Sequence, residues 1–244
     1  MNTLKRLIPL IIAAIALLIF FGFWADNFLS PSNMLDLVQQ ISVNAIIAFG
    51  MTPCILIGGI DLSVGAVLAL VGTTAVFVLS YGNPEKQSLL RVLLAIGAGL
   101  GVAGVLGAFN GVCAARTKMP PFIITLATMM VARGAALRFN EGRPIGIPPQ
   151  ETLFLSLGNG RIGGVPVPVL IMIIVLIITA ILLHRTRFGQ HLYGIGGNRE
   201  AARFTGILVA RTEILVYICC ALFTGLAGII ATSQLYSAEP ASGV

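Results

Sequence analysis

The chain has 244 residues, of which 57% are hydrophobic and 10% charged, with a net charge of +6. A water-soluble domain carries roughly 25% charged residues, so this composition excludes one: too few polar groups exist to cover its surface. The excess positive charge would suit nucleic acid in a soluble protein. Here it sits in short segments between apolar runs, which argues against a nucleic-acid partner and for the charge bias of a bacterial inner-membrane protein.

A helix crossing the hydrocarbon core needs about 20 mostly apolar residues. The runs that approach this are Leu7–Ala25, Val38–Ile57, Leu62–Ser80, Val92–Cys113, Pro121–Leu137, Val167–Leu183 and Ile214–Gln234. Backbone groups in lipid must bond within their own segment, so these seven spans are expected to be helices of one all-α, polytopic bundle covering residues 1–244. Lys5 and Arg6 precede the first run as in a signal peptide. That run lacks a small-residue cleavage site and is long enough to span, so it reads as a retained helix. Placing Lys5 and Arg6 in the cytoplasm also puts Arg116, Lys118, Arg185, Arg187, Arg199, Arg203 and Arg211 there. Lys86, Arg91, Arg138, Arg143 and Arg161 then fall outside, as do Asp26, Asp36, Glu85, Glu141, Glu151 and Glu239. The positive-inside rule favours this orientation. The longest outside loop, Arg138–Pro166, is Gly- and Pro-rich and suits resting on the membrane surface or meeting a partner.

Four segments carry chemistry. In Ile57–Gly65 (IGGIDLSVG), two glycines close one span and Asp61 precedes the next. Two readings stand: Asp61 caps free N–H groups at a helix start, or Gly58, Gly59, Asp61, Ser63 and Gly65 form a broken helix lining a polar pathway or hinge. In Ala95–Ala115, Gly99, Gly101 and Gly104 match G-x-G-x-x-G, but no preceding strand supports a dinucleotide site. The spacing of Gly97 with Gly101, and of Gly107 with Gly111, predicts close helix packing instead. Beyond the cytoplasmic turn at Arg116–Pro121, Thr125 and Thr128 share a helix face. They either bond neighbouring backbone or line a solute path. Arg133 lies in the same span, where a charge is costly and must face the bundle interior or water.

The fourth segment is Tyr193–Ile207 (YGIGGNREAARFTGI), within the long inside loop His184–Glu213. Gly196 and Gly197 are expected to break the chain, Asn198 to cap a helix of about two turns over Arg199–Thr205, and Gly206 to stop it. Phe204 would be the apolar knob of that helix, suited to a groove on a cytoplasmic partner.

Taken together, "QQISVNAIIAFGMT", "GGIDLSVGAVLAL", "NGVCAARTKMPPFIITLATMMVARG", "YGIGGNREAARFTGI" and "GLAGIIATSQLYSAEPASGV" closely resemble the ribose-type family of bacterial ABC importer permeases. The resemblance implies a permease that dimerises with a second copy and forms a monosaccharide path. A periplasmic sugar-binding protein would deliver the sugar and a cytoplasmic ATPase would drive the cycle. It further implies that residues 184–213 form the coupling loop, with Gly197, Asn198, Glu200, Ala201, Ala202, Phe204 and Gly206 facing the ATPase. Members of the family usually continue for about 70 to 80 residues and about three more spans, so the sequence looks C-terminally truncated. No phosphate-binding G-x-x-x-x-G-K-[ST] loop or H-E-x-x-H metal pair is present, so no cofactor and no chemistry of its own are expected. An intramembrane enzyme would rest on Asp61 and Arg133 alone. The remaining alternative is an ATP-independent facilitator of small neutral solutes.

Overall fold

The computed structural model describes residues 3–25, 27–80, 88–117 and 119–243, with side chains in the first helix from Ile8 onward. Of the charges used to orient the chain, the side chains of Lys5 and Arg6, and Asp26, Glu85, Lys86 and Lys118 entirely, lie outside the described residues. Two compact units divide the chain, 1–40 and 41–244.

The first unit contains α1 (Thr3–Trp24) and the start of α2 (Pro31–Leu56). Phe20 stacks on Trp24, and Phe21 packs on Phe28. Ser30 starts α2 by accepting from the Asn33 N–H at 3.2 Å, with Pro31 at the first helical position, where a missing N–H costs nothing.

The second unit is an all-α bundle. After α2 come α3 (Val64–Ser80), α4 (Leu89–Arg116), α5 (Pro121–Arg138), α6 (Thr152–Asn159), α7 (Val167–Arg185), α8 (Arg187–Gly197), α9 (Arg199–Phe204) and α10 (Val209–Gln234). Among the described residues, five helices are long and apolar enough to cross a membrane: α2, α4, α5, α7 and α10. The other two expected runs hold shorter apolar helices, Ile8–Trp24 and Val64–Ser80. The 17 residues of α3 rise only about 25 Å, less than a hydrocarbon core of about 30 Å.

The expected loop 138–166 is more ordered than its composition suggested. It holds β1 (Ile145–Gly146), α6 and a hairpin of β2 (Arg161–Ile162) with β3 (Val165–Pro166). β1 pairs antiparallel with β4 (Ser237–Ala238), beyond α10. Ser233 fastens α6 to α10: its hydroxyl accepts from the Gly158 N–H at 2.8 Å, and its carbonyl accepts from Asn159 Nδ2 at 2.7 Å. A buried ion pair, Arg91 to Glu151 at 2.9 Å, ties the start of α4 to this end. Since α7 and α10 each run between this end and the α8–α9 end, the two loop systems lie on opposite ends of the bundle.

Glycine packing is divided along α4. A side chain at Gly107 would strike Ala221 and the Tyr217 carbonyl, and one at Gly111 would strike the Ile214 backbone, so α4 and α10 meet backbone to backbone there. Gly97 and Gly101 have nothing within 4 Å of an added Cβ. The packing expected of both pairs is therefore realised at one of them. The expected break at Gly196–Gly197 is also corrected: both residues belong to α8, and the helix ends at Asn198. Gly196 is small because the Leu56 carbonyl lies against it.

Candidate functional site

The break between α2 and α3 gathers several buried polar side chains. Its first half is a helix stop. Gly58 takes φ +76, the Gly58 N–H bonds the Ile55 carbonyl at 3.0 Å, and the Gly59 N–H bonds the Cys54 carbonyl at 2.8 Å. This pair of bonds satisfies carbonyls that the end of α2 would otherwise leave open, and it needs a residue that tolerates positive φ.

The second half is held by side chains. Asp61 is 2% exposed. Its Oδ1 accepts from the Ser63 N–H at 2.9 Å and from the Ser63 hydroxyl at 2.6 Å. Ser63 Oγ accepts in turn from Asn110 Nδ2 of α4 at 3.1 Å, and Asn110 Oδ1 accepts from the Thr128 hydroxyl of α5 at 2.5 Å. Thr125, one turn earlier on α5, accepts from the Leu62 N–H at 3.1 Å and lies 3.3 Å from the Ile60 carbonyl, to which its hydroxyl donates. Irregular backbone at membrane depth survives only when its groups are satisfied internally, and these contacts do that from both flanking helices. Asn110 is six residues, or about 9 Å of rise, before the end of α4, so the break sits below the α8–α9 end of the bundle rather than at its rim.

The sequence-derived set thus comes together in part. Gly58, Gly59, Asp61, Ser63, Thr125 and Thr128 form one connected site. Asn110, its central donor and acceptor, lay in a quoted motif without a role; its signal was an amide side chain inside a glycine-rich apolar run. Tyr217 of α10 was also missed. It is 1% exposed, and its hydroxyl lies 2.7 Å from where a Cβ on Gly59 would be.

Arg133 and Gly65 belong to a neighbouring feature. Arg133 Nη1 donates to the Pro240 and Ser242 carbonyls, both at 2.7 Å. Gly65 lies against the Gly243 backbone, which returns from β4 towards the start of α3. The guanidinium offsets the open carbonyls of this non-helical stretch, which explains a charge inside a span. Asp61 and Arg133 therefore engage different partners and do not form a catalytic pair. Among the described residues, no group of three metal-ligating side chains occurs.

At the α8–α9 end, Asn198 accepts from the Ala201 N–H at 2.9 Å and starts α9. Gly206, at φ +86, ends it: the Gly206 N–H bonds the Arg203 carbonyl and the Ile207 N–H the Ala202 carbonyl. Phe204 is 90% exposed, while Ala202 is buried against its own chain. Gly197, Asn198, Glu200, Ala201 and Gly206 are exposed. An open cleft runs beside α9 past Ala115, Arg203, Phe204 and Arg211.

Comparison with known proteins gives one family. Residues 33–244 match the family described as a branched-chain amino acid transport system, permease component. The ribose import permease protein RbsC of Bacillus subtilis is 43% identical over 218 residues, which cover 89% of this chain and 65% of that protein. The ribose import permease of Escherichia coli is 40% identical over 235 residues, 96% of this chain and 71% of its own length. The Escherichia coli D-allose permease AlsC is 37% identical over 234 residues, 96% of this chain and 69% of its own. No solved structure matches. With nearly all of its length aligned to such transport components, the chain belongs to this family of membrane permeases, not to a family of enzymes.

Proposed function

We propose that the chain is the membrane-spanning permease subunit of an ATP-driven importer for a small sugar, with ribose favoured. On this reading a periplasmic binding protein delivers the sugar, a second permease copy completes the path, and a separate cytoplasmic ATPase docks on residues 184–213. The observation that carries it is α9: a short, doubly capped helix that presents an aromatic side chain, 90% exposed, beside an open cleft. Burying such a knob requires a groove on another protein. The names of the relatives support the sugar class. The buried polar break, hydrogen-bonded but poor in charge, suits a neutral solute and makes Gly58, Gly59, Asp61, Ser63, Gly65, Thr125 and Thr128 the candidate pathway or hinge. Arg133 adjoins it as a support. The N-terminus and α9 lie in the cytoplasm of a bacterial inner membrane.

The test is co-purification with the proposed ATPase partner. Phe204→Asp is expected to lose the complex at least tenfold while leaving expression unchanged. Survival of the complex would overturn the docking assignment. Sugar movement without ATP in vesicles would support a facilitator instead.

A further inference from the structure

The contacts around α9 point to more than a docking knob. Arg199 opens α9 and reaches Glu213 in α10 with both guanidinium nitrogens: Nη1 to Oε1 at 2.5 Å and Nη2 to Oε2 at 2.7 Å. The Glu213 side chain is 4% exposed and that of Arg199 53%. A buried carboxylate is thus committed to a cation supplied by the adjacent surface helix. Two parallel bonds from a planar fork fix direction as well as distance. The connection from α9 to α10, Thr205–Leu208, is only four residues long. With that short tether and the fork together, α9 has little freedom to turn without carrying α10.

What α10 carries follows from its next turns. Ile214, beside Glu213, is the residue whose backbone lies against Gly111 of α4. Tyr217, one turn beyond Glu213, lies against Gly59 of the break and against Gly107 through its carbonyl. Asn110, between those two glycines on α4, holds Ser63 and Thr128. The small-residue seam makes α4 and α10 one body over this stretch, and that body touches the break at two places.

We propose that the Arg199–Glu213 fork is the positioning link of the permease, through which displacement of α9 turns the α4–α10 pair and so opens or closes the Gly58–Ser63 break. This rests on the reading of α9 as the ATPase-docking helix. Neither residue need touch sugar or nucleotide. Their role is to make one rigid step out of two helices, with the break as the element that has two arrangements.

The experiment reconstitutes the full chain with its ATPase and binding protein in vesicles and reads D-ribose taken up per ATP hydrolysed. Arg199→Gln and Glu213→Gln are expected to lower that ratio at least fivefold while the complex still co-purifies. Arg199→Lys should recover part of it, since one bond can form without the fork. The reversed pair, Arg199→Glu with Glu213→Arg, should exceed both of its single components. Melting temperatures of the same samples separate positioning from folding: a purely structural role would lower stability in step with uptake and leave the ratio intact. An unchanged ratio overturns the proposal, as does a reversed pair no better than its singles. Loss of the complex in Arg199→Gln would overturn it too, by making Arg199 part of the docking surface. Failure of the underlying reading looks different: Phe204→Asp then keeps its ATPase, and the link falls with it.

Discussion

Asn110 joins three elements with one side chain. Its amide donates to Ser63 before α3 and accepts from Thr128 on α5, while its backbone belongs to α4. Replacement by Ala would leave two buried hydroxyls to find weaker partners. Hydrogen bonds between helices in a membrane contribute roughly 0.6 to 1.7 kcal/mol each. Asn110→Ala is therefore expected to destabilise the bundle by about 1–2 kcal/mol, read as a lower unfolding midpoint in detergent. Asn110→Asp tests the same bonds with volume preserved, and should cost more if the second carboxylate stays ionised beside Asp61. At this scale the sequence revealed residue types better than their partners. Asp61, Thr125 and Thr128 stood out as polar groups in apolar runs. Whether they faced each other depended on the register of α4 and α5, which no local pattern encodes. Arg133 stood out for the same reason, yet its partners are carbonyls over 100 positions away.

Helices were the most legible elements, because the hydrocarbon core imposes a length that a run of apolar residues must meet. The cap and stop of α9 were legible too, since Asn198 and Gly206 act within their own turn. Harder to read was α8, where tertiary burial of Leu192 and Ile195 sustains a helix through Gly196 and Gly197. The glycines of α4 show the same limit. Their spacing marks a packing helix but not which face packs, since glycines occur on several sides of it. The structure separates them, and a matched pair of variants follows. Gly107→Ala forces a Cβ against α10 and is expected to destabilise by about 1–3 kcal/mol, the cost of overpacking. Gly97→Ala meets open space and should be neutral or stabilising by up to about 1 kcal/mol through helix propensity. Thermal unfolding of the two variants in parallel checks the contrast; equal losses would mean that Gly97 packs on a second copy.

For the whole molecule, the arrangement places two different surfaces at opposite ends. One carries the β1–β4 ladder, α6 and the β2–β3 hairpin with Arg161 exposed; the other carries α8 and α9. If α9 lies in the cytoplasm, as proposed, a cysteine at Arg161 should react with a membrane-impermeant maleimide in cells whose outer membrane is permeabilised. A cysteine at Glu200 should react only in inverted vesicles. The experiment starts from a chain in which the native cysteines are replaced by serine or alanine, and labelling of both sites from one side would sink the orientation. The overall architecture was legible because lipid admits so few solutions. The part that was not legible, the backbone-to-backbone seam of α4 with α10 and the return of residues 240–243 to α3, depends on contacts far apart in sequence.

The break has one more consequence, which concerns sulfur. Cys54, whose carbonyl ends α2, and Cys220, one turn beyond Tyr217, are both fully buried. They lie on the two helices that meet around the break. A small lipid-soluble alkylating reagent can reach them only when these helices part. The rate at which the two native thiols disappear would then serve as a clock for that parting, running in the unlabelled protein and needing neither sugar nor spectroscopic probe.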